Sequence, residues 1–156
     1  MPPIIYEVVT IGTGKLSIMA MPTSGEEITE LRQLGIDHVV SLLEVDEQFE
    51  VGLAEEEVLC AENSMRYTSF PITDRDVSQK ADALALAGTL YSDIYDGEHL
   101  VIHCRAGIGR TGIIASAVLI RAGYSAAEAI HMVSWARGVL IPDTMEQENW
   151  IRSLQI

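Results

Sequence analysis

Apolar runs at Ile4 to Ile11 and Leu16 to Ala20 predict two short strands around the Gly12-Thr13-Gly14-Lys15 turn, the pattern of a hairpin. Thr23 or Ser24 can cap a helix that runs to about Leu34 and ends at Gly35. His38 to Leu43 reads as a buried strand, followed by an acidic helical region to about Asn63 and a further strand, Tyr67 to Phe70, that Pro71 ends. Asp74-Arg75-Asp76 is polar and falls in an exposed loop. Ser78 is placed to cap a long helix whose apolar positions Ala81, Leu84, Leu90, Tyr91 and Ile94 share a buried face, with Asp96-Gly97-Glu98 as its stop. Leu100 to His103 is a short buried strand, and Gly112 to Ala122 an apolar helix ended by Gly123. Ser125-Ala126-Ala127-Glu128 has the form of a capping box for a helix to about Arg137, and Asp143 or Thr144 can cap a last one through Trp150 and Leu154. Strands come first and helices dominate the end. No repeat, low-complexity tract or linker interrupts the pattern, so residues 1–156 are expected to form a single α/β domain, a central mixed sheet flanked by helices.

Composition narrows the class. At 156 residues and 48% hydrophobic, the chain can bury roughly 70% of the surface its unfolded form exposes, without help from a disulfide or structural metal. Its longest apolar stretch, Ile113 to Ile120, is far short of the roughly 20 residues that span a bilayer. The start carries no basic, apolar or cleavage-site signal, and Cys60 and Cys104 are the only cysteines, so a reducing, cytoplasmic setting is expected. A formal charge of -13 opposes nucleic acid and anionic membranes as partners. From Glu26 to Glu62 there are twelve acidic residues against Arg32 alone, and Glu55-Glu56-Glu57 reads as a solvated helix face. From Cys104 onward five arginines outnumber four acidic residues, so an anion is best accommodated there.

The chemistry concentrates between the strand ending at His103 and the helix from Gly112, in Cys104-Arg105-Ala106-Gly107-Ile108-Gly109-Arg110-Thr111. Ala106, Gly107 and Gly109 are small enough for consecutive backbone N–H groups to turn inward, and the helix start adds its dipole at the same point. Such a loop cradles a phosphate. Cys104, facing those donors, is in the setting that favours thiolate over thiol. Arg110 returns to the loop mouth, where its planar fork can hold two phosphoryl oxygens. The same residues fit two rival patterns less well. Gly107-Ile108-Gly109-Arg110-Thr111-Gly112 also matches the dinucleotide pattern G-x-G-x-x-G, but that fold needs a second parallel strand after the helix, where Ser125 to Arg137 reads as another helix. A buried cysteine in a tight turn would account for Cys104 but not for the arginine six residues on.

His103-Cys104, five residues, then Arg110-Thr111 resembles the signature of the cysteine-based protein phosphatase superfamily, and the length of the chain is similar to the compact dual-specificity group, including its cyclin-dependent kinase inhibitor 3 type branch. The resemblance implies a phosphomonoester hydrolase acting on phosphoproteins, on phosphotyrosine and also phosphoserine or phosphothreonine if the pocket is shallow, through a phosphocysteine. Cys104 would be the nucleophile. Arg110 and the loop Arg105, Ala106, Gly107, Ile108 and Gly109 would bind the phosphate. Phe70-Pro71-Ile72-Thr73-Asp74 is similar to the superfamily's acid loop, with Asp74 at the general acid and Asp76 as the alternative; Ser78 stands where a proline often follows that loop. The resemblance further implies that the Thr111 hydroxyl bonds the Cys104 sulfur, that His103 orders the loop through its ring or is a plain core histidine, and that Gln147 helps place the hydrolytic water. Cys60 is an ordinary, partly buried cysteine or a disulfide partner that protects Cys104. His38, His99 and His131 lack metal-ligand spacing, so neither metal nor cofactor is expected. A phosphorylated protein or peptide is the expected partner, met by a monomer. Arg105, pointing outward, is expected to favour acidic residues flanking the phosphate. A phospho-recognition module without turnover, and a phosphatase of phosphoinositides or inositol polyphosphates, are the alternatives. Low-molecular-weight phosphatases place the loop before the acid, opposite to the order here, and rhodanese-type enzymes resemble the chain less.

Overall fold

The computed structural model describes residues 2–154. Its elements run β1 (Tyr6–Ile11), β2 (Gly14–Met19), α1 (Gly25–Gln33), β3 (His38–Ser41), α2 (Val45–Glu50), α3 (Glu56–Glu62), β4 (Arg66–Ser69), α4 (Lys80–Tyr95), β5 (His99–His103), α5 (Gly109–Arg121), α6 (Ala126–Arg137) and α7 (Met145–Arg152). The strands form one mixed sheet in the order β1-β2-β5-β3-β4. β1 and β2 are the predicted antiparallel hairpin, whereas β2, β5, β3 and β4 are mutually parallel. The chain therefore leaves four strands at one edge of the sheet, the edge where ligands bind in open α/β folds.

Local chemistry sets the helix boundaries. Ser24 caps α1, its hydroxyl accepting from the Glu27 N–H at 3.2 Å. Ser125 and Glu128 form the reciprocal box at the start of α6, and Thr144 with Gln147 forms another at α7, so Thr144 and not Asp143 is the cap. Ser78 does not cap α4. That helix starts after Gln79 with no side-chain cap, and the Ser78 carbonyl instead accepts from the Trp150 indole at 2.9 Å. The buried face of α4 is Ala83, Ala87, Leu90 and Ile94, with Ala81 exposed and Leu84 and Tyr91 only half-buried. Ala83, Ala87, Leu90 and Ile94 pack into the core cluster that α5 fills, so the buried stripe follows positions 83, 87, 90 and 94 rather than 81, 84 and 91. The acidic stretch after β3 is two short helices, not one, broken at Gly52, whose φ of +76° suits glycine.

Two apolar layers enclose the sheet. On one side Met19, Ile28, Leu31, Val39, Leu43 and Cys60 pack beneath α1 and α3. On the other, α5 is buried from Gly109 to Ile120 and packs against α4, α6 and α7. Each fully buried Ile or Leu here, such as Ile113 or Leu119, stabilises the fold by roughly 1.5–3 kcal/mol. The start of α5 is thus held by one of the best-packed parts of the molecule. Among the described residues no helix is long and apolar enough to cross a membrane.

Candidate active site

Three segments meet at the C-terminal edge of the sheet: Cys104–Ile108 after β5, Leu42–Glu50 after β3, and Phe70–Asp76 after β4. α5 begins at Gly109, three residues earlier than the apolar pattern suggests, so its N-terminus is part of the loop. Gly107 has φ +72°, and a Cβ there would run into the Met19 carbonyl oxygen, so only glycine fits. Met21 secures the loop from outside, its N–H donating to the Arg105 carbonyl at 3.0 Å. Among the described residues, the N–H groups of Arg105, Ala106, Gly107 and Ile108 have no backbone acceptor. Together with the free N–H groups that begin any helix, they form a cup of donors. Cys104 lies at its base, 3% exposed, and the Thr111 hydroxyl donates to its sulfur at 3.0 Å. A cavity of about 250 Å³ opens onto Cys104, Ala106, Gly109, Arg110, Asp74 and Asp143.

Arg110 is 1% exposed and almost fully engaged. Nη1 donates to Glu47 Oε1 at 2.6 Å and to the Ile72 carbonyl at 2.9 Å, and Nη2 donates to Glu47 Oε2 at 3.1 Å. Its Nε–H is buried with no acceptor. One edge of the fork is therefore anchored to protein, and Nε is left with a donor that an incoming oxygen can take up. Glu47 is the residue that the sequence did not single out; in an acid-rich helix nothing distinguishes it from its neighbours. Burial pushes its carboxyl up, but hydrogen bonds from Arg110, from the Glu44 N–H and from Arg105, with the Arg110 charge, bring it down to about 2. Arg105 is turned outward as expected, yet it does not stand free, since its Nε donates to Glu47 at 3.1 Å and Nη2 to Glu50 at 3.0 Å.

Asp74 and Asp76 are separated by Arg75, whose φ of +62° turns the chain sharply between them. Asp74 Oδ1 lies 3.3 Å from Arg110 Nη2. Asp76 is used within its own loop, accepting from the Val77 N–H at 2.8 Å, while its carbonyl accepts from Gln147 Nε2 at 3.0 Å. Gln147 is fully buried beside Gly109, and its Oε1 accepts from the Thr144 N–H, so most of its amide is committed to the fold.

Behind the nucleophile position, His103 is fully buried between the Cys104 carbonyl, 3.2 Å from Nδ1, and Glu56 Oε2, 2.7 Å from Nε2. The expectation of a solvated Glu55-Glu56-Glu57 face is thereby corrected: Glu55 and Glu57 are exposed, but Glu56 is 1% exposed and faces inward from the first turn of α3. Cys60, one turn further, is fully buried rather than partly so, and its thiol is pushed up to about 12 by burial and then by Glu56 and Glu57. Both cysteines are free, so the disulfide alternative is not realised here.

Two other features lie away from this site. His38, Asp93 and Glu98 come within reach of one another at the opposite edge of the sheet, brought together from β3, α4 and the turn before β5, which spacing along the chain does not reveal. Arg66 pairs with both carboxylates and the His38 ring bonds Glu98 and Thr68, so these residues already form an ion-pair and hydrogen-bond cluster in which one guanidinium serves two carboxylates. A larger groove of about 570 Å³ is lined by His131, Ser134, Trp135, Gly138, Val139 and Leu140, and the Ser134 hydroxyl there is bonded to the Ile141 backbone.

The family model described as PTP-SAK, "Swiss Army Knife protein, DSP-PTPase phosphatase domain", matches residues 7–155. No curated protein matches the chain. Among solved structures, kinase associated phosphatase (KAP) with its catalytic-site cysteine changed to serine is 19% identical, superimposes with a TM-score of 0.87, and is covered over 93% of its chain by 97% of this one. Tk-PTP in its active form is 23% identical, with a TM-score of 0.79 and 94% of each chain covered. PTPMT1 in complex with PI(5)P is 15% identical, with a TM-score of 0.76, 95% of this chain and 92% of that one being covered. At these identities the structures share the fold.

Proposed function

This chain belongs to the PTP-SAK family of DSP-PTPase phosphatase domains, and from that premise we propose that it is a cysteine-dependent phosphatase of phosphoproteins. The observation that carries the proposal is the convergence on one cup of unpaired N–H groups of a sulfur with a hydrogen-bonded hydroxyl behind it, Cys104 and Thr111, and a buried guanidinium whose Nε–H is unspent, Arg110.

In the first step the Cys104 thiolate attacks phosphorus in line with the leaving oxygen. The S–P bond forms as the P–O bond breaks, and the proton that the leaving alkoxide or phenoxide needs comes from Asp74. Amides of residues 105–109 and the Arg110 Nε hold the equatorial oxygens, where donors fixed in advance cost no reorganisation. In the second step water attacks the phosphocysteine, Asp74 takes its proton, the O–P bond forms, and the thiolate leaves with the Thr111 hydroxyl hydrogen-bonded to it. His103 orders the loop, and Gln147 acts by holding the acid loop through the Asp76 carbonyl. A net charge of -13 favours a phosphoprotein over a lipid in an anionic membrane, although PTPMT1, of the same fold, is solved with PI(5)P.

The test is phosphate release from a phosphotyrosine peptide, a phosphothreonine peptide, a phosphoinositide and an inositol polyphosphate, by the wild type and by Cys104→Ser. Release from the phosphopeptides that vanishes in the variant is expected. Release only from the lipid or the polyphosphate overturns the substrate class, and phosphopeptide binding without release overturns the enzyme.

A further inference from the structure

The buried Glu56 is not used by the mechanism above, and its chemistry is tied to the nucleophile through a single imidazole. A carbonyl oxygen can only accept, so the 3.2 Å contact between His103 Nδ1 and the Cys104 carbonyl requires a proton on Nδ1. The 2.7 Å contact between Nε2 and Glu56 Oε2 then requires a second proton between those two atoms, because a bare nitrogen lone pair facing a bare carboxylate would repel. The pair therefore carries one proton more than a neutral imidazole and a carboxylate, and its net charge is zero. Glu56 Oε1, buried without a partner, fits a pair in which that proton limits the negative charge on the carboxyl group.

We propose that Glu56 is a positioning residue of the phosphatase reaction: by sharing a proton with His103 Nε2 it holds the Nδ1–H on the Cys104 carbonyl and so fixes the first peptide of the phosphate loop. The proposal rests on Cys104 being the nucleophile. In a trans peptide the carbonyl and the following N–H point in opposite directions, so anchoring the Cys104 carbonyl on the imidazole aims the Arg105 N–H to the other side. A hydrogen bond to the carbonyl also polarises that peptide and makes its N–H a better donor to an anion. Without Glu56, a neutral His103 is free to carry its proton on Nε2 instead, which would set a lone pair against the Cys104 carbonyl and release the loop.

The experiment combines a spectroscopic readout on the unaltered protein with two variants. In ¹⁵N-imidazole NMR of the wild type at neutral pH, His103 Nδ1 is expected to be protonated; an Nε2–H tautomer with bare Nδ1 overturns the proposal. Glu56→Leu removes the proton partner while keeping a buried side chain, and is expected to lower kcat on a phosphotyrosine peptide at least tenfold with KM changed less than threefold. It is also expected to slow alkylation of Cys104 by iodoacetamide. Glu56→Gln, whose amide N–H can donate to Nε2 and so keeps the Nδ1–H form, is expected to recover at least a third of wild-type kcat. Equal kcat values in the Leu and Gln variants overturn the proposal, as does a Leu variant that alkylates at the wild-type rate. The NMR and alkylation arms need no turnover: absence of phosphate release by the wild type would refute the proposed function, while these two measurements would still decide the role of Glu56.

Discussion

Glu47→Gln is the substitution with the largest calculable effect. The wild-type carboxylate accepts two hydrogen bonds from Arg110, one from Arg105 and one from the Glu44 N–H. Its folded value of about 2 lies well below the ordinary 4.5. At about 1.4 kcal/mol per pH unit the difference is worth about 3 kcal/mol of stability. Breaking a buried ion pair by removing one partner costs roughly 3–5 kcal/mol, so the two scales agree. For a chain of this size, each kcal/mol moves Tm by roughly 2–4 °C, and a loss of roughly 6–12 °C at pH 7 is expected. The sign with pH follows from the direction of the shift. A carboxyl that ionises more readily when folded contributes fully above its unfolded value of 4.5, progressively less below it, and nothing once the pH has fallen through about 2. Thermal unfolding of wild type and variant in parallel from pH 7 to pH 2 isolates this group, since the other carboxyls titrate in both. The gap in Tm should be widest at neutral pH and close in acid. A gap under about 2 °C at pH 7, or one that stays constant down to pH 2, would refute the assignment of Glu47 as the buried counter-charge of Arg110.

Three further substitutions separate roles around the cup. Asp74→Asn is expected to lower kcat on a phosphotyrosine peptide by about 10²–10⁴, the usual worth of a general acid, and Asp76→Asn by less than about tenfold; the reverse order in steady-state kinetics would move the acid to Asp76. Arg105→Ala leaves Glu47 and Glu50 without that guanidinium, so rates on peptides with acidic flanks should fall relative to neutral ones, and an unchanged ratio would remove Arg105 from selectivity.

What the sequence carried, it carried through contiguity. Cys104, Gly107, Arg110 and Thr111 lie within eight residues, so their spacing alone predicts one loop, and the loop is there. Capping pairs such as Ser125 with Glu128 are equally local and were legible for the same reason. The end of the strand before the loop was legible, but the start of α5 was not, because Gly109, Arg110 and Thr111 are helical in backbone while being part of the cup. Glu47 and Glu56 were invisible because their meaning depends on partners 63 and 47 residues away, which the order β5-β3-β4 brings alongside. Composition pointed away from them. Acid-rich segments are normally solvated, and most residues between Glu26 and Glu62 obey that rule, which hides the two that do not.

Of those two buried acids, Glu47 changes the charge balance around the cup. Around the cup, Arg75, Arg105 and Arg110 face Asp74, Asp143, Glu47 and Glu50. Side-chain charge is therefore not in excess on the positive side, and a chain of net charge -13 offers a phosphate no long-range attraction. What remains is short-range: the unpaired N–H groups of the loop, the start of the buried helix α5 and the unspent Nε–H of Arg110. Such donors are oriented by the fold and cannot rearrange to follow a different charge distribution, which suits stabilising a transition state better than capturing a ligand from a distance. Glu47 acts in the same sense. By taking up Nη1 and Nη2 of Arg110 it fixes the plane of the guanidinium and leaves the Nε–H unpaired, a donor held in place by the fold rather than free to swing.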